Sequence, residues 1–203
     1  MPEPDVPPVV LASASAVRHR LLSGAGVPHM VDPARIDEDE VKRALAAENA
    51  PPAAVAETLA EFKALSVARR DTGALVIGAD QVLDCGGVLF DKPADRDQAS
   101  AHLRALRGRR HSLFAGLCVV RDGRRLWHHN DRADMDVRAF GEGFVEHYLD
   151  EVGDAALDSV GAYQLEGLGA QLFSRVRGDY FTVLGLPLLP LLDFLRAQRV
   201  VPA

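Results

Sequence analysis

Ala74-Leu75-Val76-Ile77-Gly78-Ala79-Asp80 decides the fold. The run is continuously apolar rather than alternating, so it reads as a strand buried on both faces, with Asp80 at its carboxyl end. A further apolar pair, Val82-Leu83, then a Gly86-Gly87 turn and Val88 to Phe90, carries that strand into a hairpin. Upstream, Val9 to Ala12 is a second short apolar run. It passes through Ser13-Ala14-Ser15 into a helical pattern with Val17, Leu21 and Leu22 on one side, stopped by Gly24 and Gly26.

Outward from these two strands the chain alternates elements. Val27 to Val31 reads as a short strand, and Ile36 to Glu40 opens an acidic helix running to Asn49. Pro51-Pro52 starts a long helix through Arg70, with Val55, Leu59 and Phe62 as its apolar stripe. Asp95 with Gln98 forms a capping-box start for a helix to Arg107, ended by Gly108. Leu113 to Val120 and Leu126 to Val137 are strands joined at Asp122-Gly123. Phe144 to Glu151 is helical, Gly161 to Gly169 is a glycine-rich loop, and Pro187 to Gln198 is the last helix. Strands and helices mixed in this order predict an α/β fold, with residues 1–203 forming one domain.

Composition narrows the function. A chain of 203 residues, 48% hydrophobic, has enough apolar material for one substantial core or two small lobes around a cleft. The formal net charge of -6 argues against a general nucleic-acid binder. Cys85 and Cys118, the two cysteines, both sit in or beside apolar runs and predict buried thiols rather than a disulfide framework or zinc knuckle. Met1 to Pro8 lacks the basic and apolar regions of a secretory signal. Leu184 to Leu192, broken by two prolines, is too short to span a bilayer, so a cytoplasmic protein without membrane partners is expected.

Five segments carry possible chemistry. Ser15 suits a helix N-cap, and the backbone N–H groups beyond it suit an anion. Arg18 puts a cation in that first turn, against the helix dipole, a conflict that a bound phosphate removes; the alternative is an ordinary cap with a solvated arginine. Asp80 can hold a metal, accept a proton from water, or simply begin a turn. Lys92, in Asp91-Lys92-Pro93, is either a phosphate contact or a surface lysine. Glu38, within Asp37 to Glu40, is a metal ligand or a solvated helix start. Lys63 reaches a cleft edge or snorkels to solvent. His128 and His129, adjacent in a strand, point to opposite faces and make no zinc pattern. Nucleophile-elbow, P-loop and dinucleotide fingerprints are missing.

Taken in order, these segments resemble the Maf family of nucleoside triphosphate pyrophosphatases along nearly the whole chain. The family's Ser-x-Ser-Pro-Arg-Arg corresponds to Ser13 through Arg18, its Asp-Glu to Asp37-Glu38, and its Leu-Ala-x-x-Lys-Ala to Leu59 through Ala64. Its Gly-Ala-Asp corresponds to Gly78-Ala79-Asp80, and its Gly-Lys-Pro to Asp91-Lys92-Pro93, with Asp91 in place of glycine. Gly108 to His111, Arg138, Gly161-Ala162-Tyr163 and Gly185 to Leu188 also fall in register. The resemblance implies an elongated mixed sheet with flanking helices, two lobes around a cleft, and a homodimer. It further implies hydrolysis of a nucleoside triphosphate to monophosphate and pyrophosphate with Mg or Mn. Under it, Asp80 is the base, Glu38 and Asp80 meet the metal, and Ser13, Ser15, Arg18, Lys63 and Lys92 hold the triphosphate. The rival expectations are a non-catalytic nucleotide-binding regulator of cell division and a general phosphate-ester hydrolase.

Departures from the family pattern bear on the base. Ala16 and Val17 replace proline and the first arginine, and Gln81 and Glu166 stand where the thymidine and uridine triphosphate branch has threonine and glutamine. Gln81 and Glu166 are similar to the branch acting on 7-methyl-GTP. An ionised Glu166 only accepts hydrogen bonds, which suits the neighbouring donors on the Watson-Crick edge of guanine better than thymine or uracil. Val17, Gln81 and Glu166 are therefore the expected specificity positions.

Overall fold

The computed structural model describes residues 6–202; the proline-rich start considered above lies partly outside them. Seven strands form one mixed sheet. They are β1 (Val9–Leu11), β2 (Met30–Val31), β3 (Leu75–Asp84), β4 (Leu89–Phe90), β5 (Arg110–Arg121), β6 (Arg124–Val137) and β7 (Phe173–Arg177). The order is β2-β1-β3-β5-β6-β7, with β4 paired to β3. β1 runs parallel to β2 and β3, and the other pairings are antiparallel. Helices α1 (Ala16–Gly24), α2 (Glu38–Ala47), α3 (Pro52–Ala68), α4 (Arg96–Leu106), α5 (Glu142–Val152), α6 (Tyr180–Val183) and α7 (Leu188–Ala197) flank it. The mixed α/β architecture expected from the sequence is the one observed.

Alternation along the long strands divides the core. Leu75, Ile77, Leu117 and Val119 point to one face, where Leu22, Leu191 and Leu195 of α1 and α7 cover them. On that face, further along, Leu83, Leu113 and Met135 meet Leu103 and Leu106 of α4 and Val145 and Leu149 of α5. The opposite face belongs to α3. Val76, Cys118 and Val120 pack on Ala60, Ala64 and Val67, and Val82 packs on Val55, Ala56 and Leu59.

The fit of α3 to the sheet is unusually close for a chemical reason. Ala56, Ala60, Ala64 and Ala68 recur every fourth residue and are all buried, giving the helix a flat ridge. Glycine lies beneath it. A Cβ on Gly78 would stand 1.9 Å from the Ala60 carbonyl oxygen, and one on Gly116 would stand 2.6 Å from the Ala56 carbonyl. The expected stripe of Val55, Leu59 and Phe62 is corrected accordingly. Phe62 is 44% exposed, and Lys63 turns inward instead.

Other boundaries move for similar reasons. Asp80 does not end its strand, because antiparallel pairing with β5 carries β3 on to Asp84. What ends is the neighbour β1, whose last partner on β3 is Ile77. The region read as a glycine-rich loop forms 3-10 turns at Val160–Ala162 and Leu168–Leu172, and β7 follows at once. That strand escaped the sequence reading because Ser174, Arg175 and Arg177 break the apolar pattern of an edge strand. The expected strand over 27–31 shortens to Met30–Val31.

Candidate active site

Where β1 stops, one edge of β3 is left without a strand partner, and α1 supplies the missing donor. The Arg18 side chain folds back so that Nη1 donates to the Ala79 carbonyl at 2.8 Å and to Ser13 Oγ at 3.1 Å. Its Nε donates to the Gly185 carbonyl at 2.8 Å. Gly185 has φ +81°, and a Cβ there would lie 3.3 Å from Arg18 Nη2, so glycine permits this approach. Arg18 is therefore buried, not solvated. Burial pushes its guanidinium below the usual range, and the nearby carboxylates of Asp80 and Glu38 work against that shift. Ser15 caps α1 as expected, accepting from the Arg18 N–H at 3.4 Å.

Asp80 faces α3, between Gly78 and Val82 and opposite Gly116 in register. The glycine-to-alanine contact brings α3 near enough for Lys63 to reach it: Nζ lies 2.5 Å from Asp80 Oδ1 and 2.9 Å from Glu38 Oε1. Lys63 is 9% exposed and Asp80 7%. Glu38 opens α2, whose N-cap Asp37 accepts from the Glu40 N–H at 2.9 Å. Two carboxylates from different elements thus converge on one cation. Two carboxylates and phosphate oxygens are the donor set that magnesium commonly takes, so the pair fits a divalent cation held together with substrate. No cluster of three or more histidine, cysteine or acidic side chains suited to a metal occurs among the described residues.

Gln81, next in the strand, points to the other face. Its Nε2 donates to the carbonyls of Thr182 and Val183 at 2.9 and 3.1 Å. Both amide protons are spent on α6, and Oε1 remains as an acceptor. The fully buried Thr182 in turn donates from Oγ1 to Asp131 at 2.7 Å, a link the sequence did not signal. Glu166 lies 3.4 Å from Arg20 on α1, so α1 carries Arg18 toward Asp80 and Arg20 toward Glu166. Val17 is half-buried, and Lys92 is exposed beside the buried Pro93. Sequence reasoning missed Lys42, one turn after Glu38, whose Nζ pairs with Asp91 at 2.5 Å. The Glu38-to-Lys42 spacing on a helix was the available signal.

Two other residues in register with the family pattern, His111 and Tyr163, lie buried away from this cluster. His111 is 1% exposed and joined to the Tyr163 hydroxyl at 2.6 Å. Burial lowers its pKa to about 4, the carboxylate of Asp134 opposing only in part. The same burial raises the Tyr163 phenol above its ordinary value. Both thiols are buried and free, and the Cys118 thiol is pushed up to about 12 by desolvation.

The sheet and its flanking helices define a mixed α/β protein with a strand-edge arginine and a lysine shared by two carboxylates. Comparison with known sequences makes this specific: the chain belongs to the Maf-like protein family, whose model matches residues 8–198. It is 58% identical over 194 residues to a nucleoside triphosphate pyrophosphatase of Paramagnetospirillum magneticum, covering 95% of this chain and all of that one. It is 55% identical to a nucleoside triphosphate pyrophosphatase of Nitrobacter winogradskyi, over 94% of each chain. A 7-methyl-GTP pyrophosphatase of Rhizobium meliloti is 49% identical, over 97% of this chain and 99% of that one. No helix among the described residues is long and apolar enough to cross a membrane.

Proposed function

We propose that this chain hydrolyses a nucleoside triphosphate to the monophosphate and pyrophosphate, acting as one unit and as a homodimer in the cytoplasm. The observation that carries the reading is the Lys63 ammonium held between Asp80 and Glu38. Near-full-length identity to pyrophosphatases supports it. Asp80, buried with one oxygen on Lys63, accepts the proton of the attacking water. Arg18, with Nη2 free of acceptors among the described residues, and Ser13 hold the phosphates at the end of β1. Ser15 orders the backbone N–H groups that open α1. Lys63 passes from the carboxylates to the phosphates as substrate enters, and Lys92 offsets charge developing on the leaving pyrophosphate. Glu38 and Asp80 would hold a magnesium or manganese ion, which when bound would neutralise phosphate charge. A regulator that only binds nucleotide has no need of a buried carboxylate against a lysine. Nothing observed favours a general phosphate-ester hydrolase.

The preferred base is a guanine, with 7-methyl-GTP the leading substrate. The two α6 carbonyls fix the Gln81 amide so that it offers Oε1, and Glu166 adds a carboxylate; both accept, as the donor edge of guanine requires. Val17, small and uncharged, leaves room where the family carries arginine. The test is a panel of 7-methyl-GTP, GTP, dTTP and UTP with magnesium or manganese, scored for pyrophosphate, with Glu166→Gln in parallel. Guanine preference that falls in the variant is the expected result. Preference for dTTP, or a ranking unmoved by Glu166→Gln, defeats the base assignment. Full activity in excess chelator defeats the metal.

A further inference from the structure

The acidic pair and Lys63 do not exhaust the charges in this part of the molecule. Lys42 lies one turn beyond Glu38 on α2, on the same side of that helix. It is half-buried, and its Nζ pairs with Asp91 at 2.5 Å, across the gap between α2 and the loop after β4. That loop is anchored by the buried Pro93 and presents Lys92 beside Asp91. Burial alone would weaken the charge on Lys42. Asp91, then Asp80 and Glu38, outweigh it and hold the ammonium above its ordinary pKa. Lys42 therefore feels the same carboxylates that hold Lys63, though it touches neither.

Resting on the triphosphate reading, we propose that Lys42 is a further phosphate-binding residue, held on α2 by Asp91 and transferred to the triphosphate when substrate enters. Asp91 competes with phosphate for one ammonium. A carboxylate accepts in the same way as a phosphate oxygen but carries less charge, so it keeps Lys42 extended and charged without binding it irreversibly. Two-thirds of the Asp91 side chain is open to solvent, so the pair is screened and separates at small cost. A pair that serves only to strap the loop to α2 makes the opposite demand, because then both partners are needed together.

The two roles separate by sign. Binding of inorganic tripolyphosphate with magnesium is measured by calorimetry on the full chain for wild type, Lys42→Met and Asp91→Asn. The expected result is binding weakened about fivefold or more by Lys42→Met and strengthened, or at least not weakened, by Asp91→Asn. The double variant should follow Lys42→Met. Equal weakening by both single variants, no effect of Lys42→Met, or no tripolyphosphate binding by the wild type overturns the proposal. Because the readout is binding, a wild type that binds tripolyphosphate yet releases no pyrophosphate from GTP counts against the enzymatic reading alone.

Discussion

Two polar pairs are buried against the same sheet, and they are built to opposite purposes. Lys63 and Asp80 are both ionisable and oppositely charged, and they lie at the edge of solvent with a second carboxylate, Glu38, within reach of the same ammonium. His111 and Tyr163 sit deeper, and burial moves both toward their neutral forms, with the His111 Nδ1 left without a partner among the described residues. The first pair can exchange partners, since Lys63 already has two. The second cannot, because each ring is fixed by packing among Phe173, Leu83 and the turn at Gly161. A buried pair of acid and base with an alternative partner is suited to chemistry. A neutral pair locked by shape is suited to holding β5 against the 3-10 turns.

The sharpest way to break that contrast is Asp80→Asn. Lys63 keeps Glu38, so the fold should hold, while loss of the base should lower kcat on the order of a hundredfold or more. Thermal melting and steady-state rates on the same sample check both halves. A variant with near-normal turnover removes Asp80 from the mechanism.

His111 should show the reverse behaviour through pH. Its folded pKa, about 4, lies below the ordinary 6.5, so between those values the unfolded chain binds a proton that the folded chain refuses. Its contribution is complete above about pH 6.5, is lost as pH falls toward 4, and changes little below that. Denaturant melts across this window should flatten in His111→Gln, with KM at neutral pH unchanged. An equally steep profile in the variant assigns the acid sensitivity elsewhere.

A smaller effect joins the two regions. Gly78→Ala forces α3 off the sheet and should cost about 1–3 kcal/mol as an overpacked contact. KM should rise as well, because Lys63 rides on the displaced helix. Unchanged stability and KM would mean that the Ala60 contact does not set the position of Lys63.

Much of this was legible in the sequence. The continuous apolar run into Asp80, the Ser15 cap and the Asp95 cap all depend on nearest neighbours in the chain, and all three are present. The Gln98 side chain accepts from the Ala94 N–H at 2.6 Å, one residue before the cap, rather than from the Asp95 N–H of a full box. What depends on distant packing was not legible. Lys63 looked like a residue at the flank of a stripe because Phe62 outranks alanine in hydrophobicity. The Ala56, Ala60, Ala64 and Ala68 ridge acquires meaning only once Gly78 and Gly116 lie beneath it. Lys42 and Asp91 are 49 residues apart and meet only through the β3–β4 hairpin. Gln81 alternates away from Asp80, and its partners on α6 lie about a hundred positions downstream.

In the proposed reaction the Asp80, Lys63 and Glu38 cluster directs water to the bond between the α and β phosphates. Phosphorus NMR of GTP or 7-methyl-GTP incubated with the wild-type chain and magnesium tests it most directly. Monophosphate and pyrophosphate should rise together from the first time point, with no diphosphate intermediate. Orthophosphate accompanied by nucleoside diphosphate would contradict it.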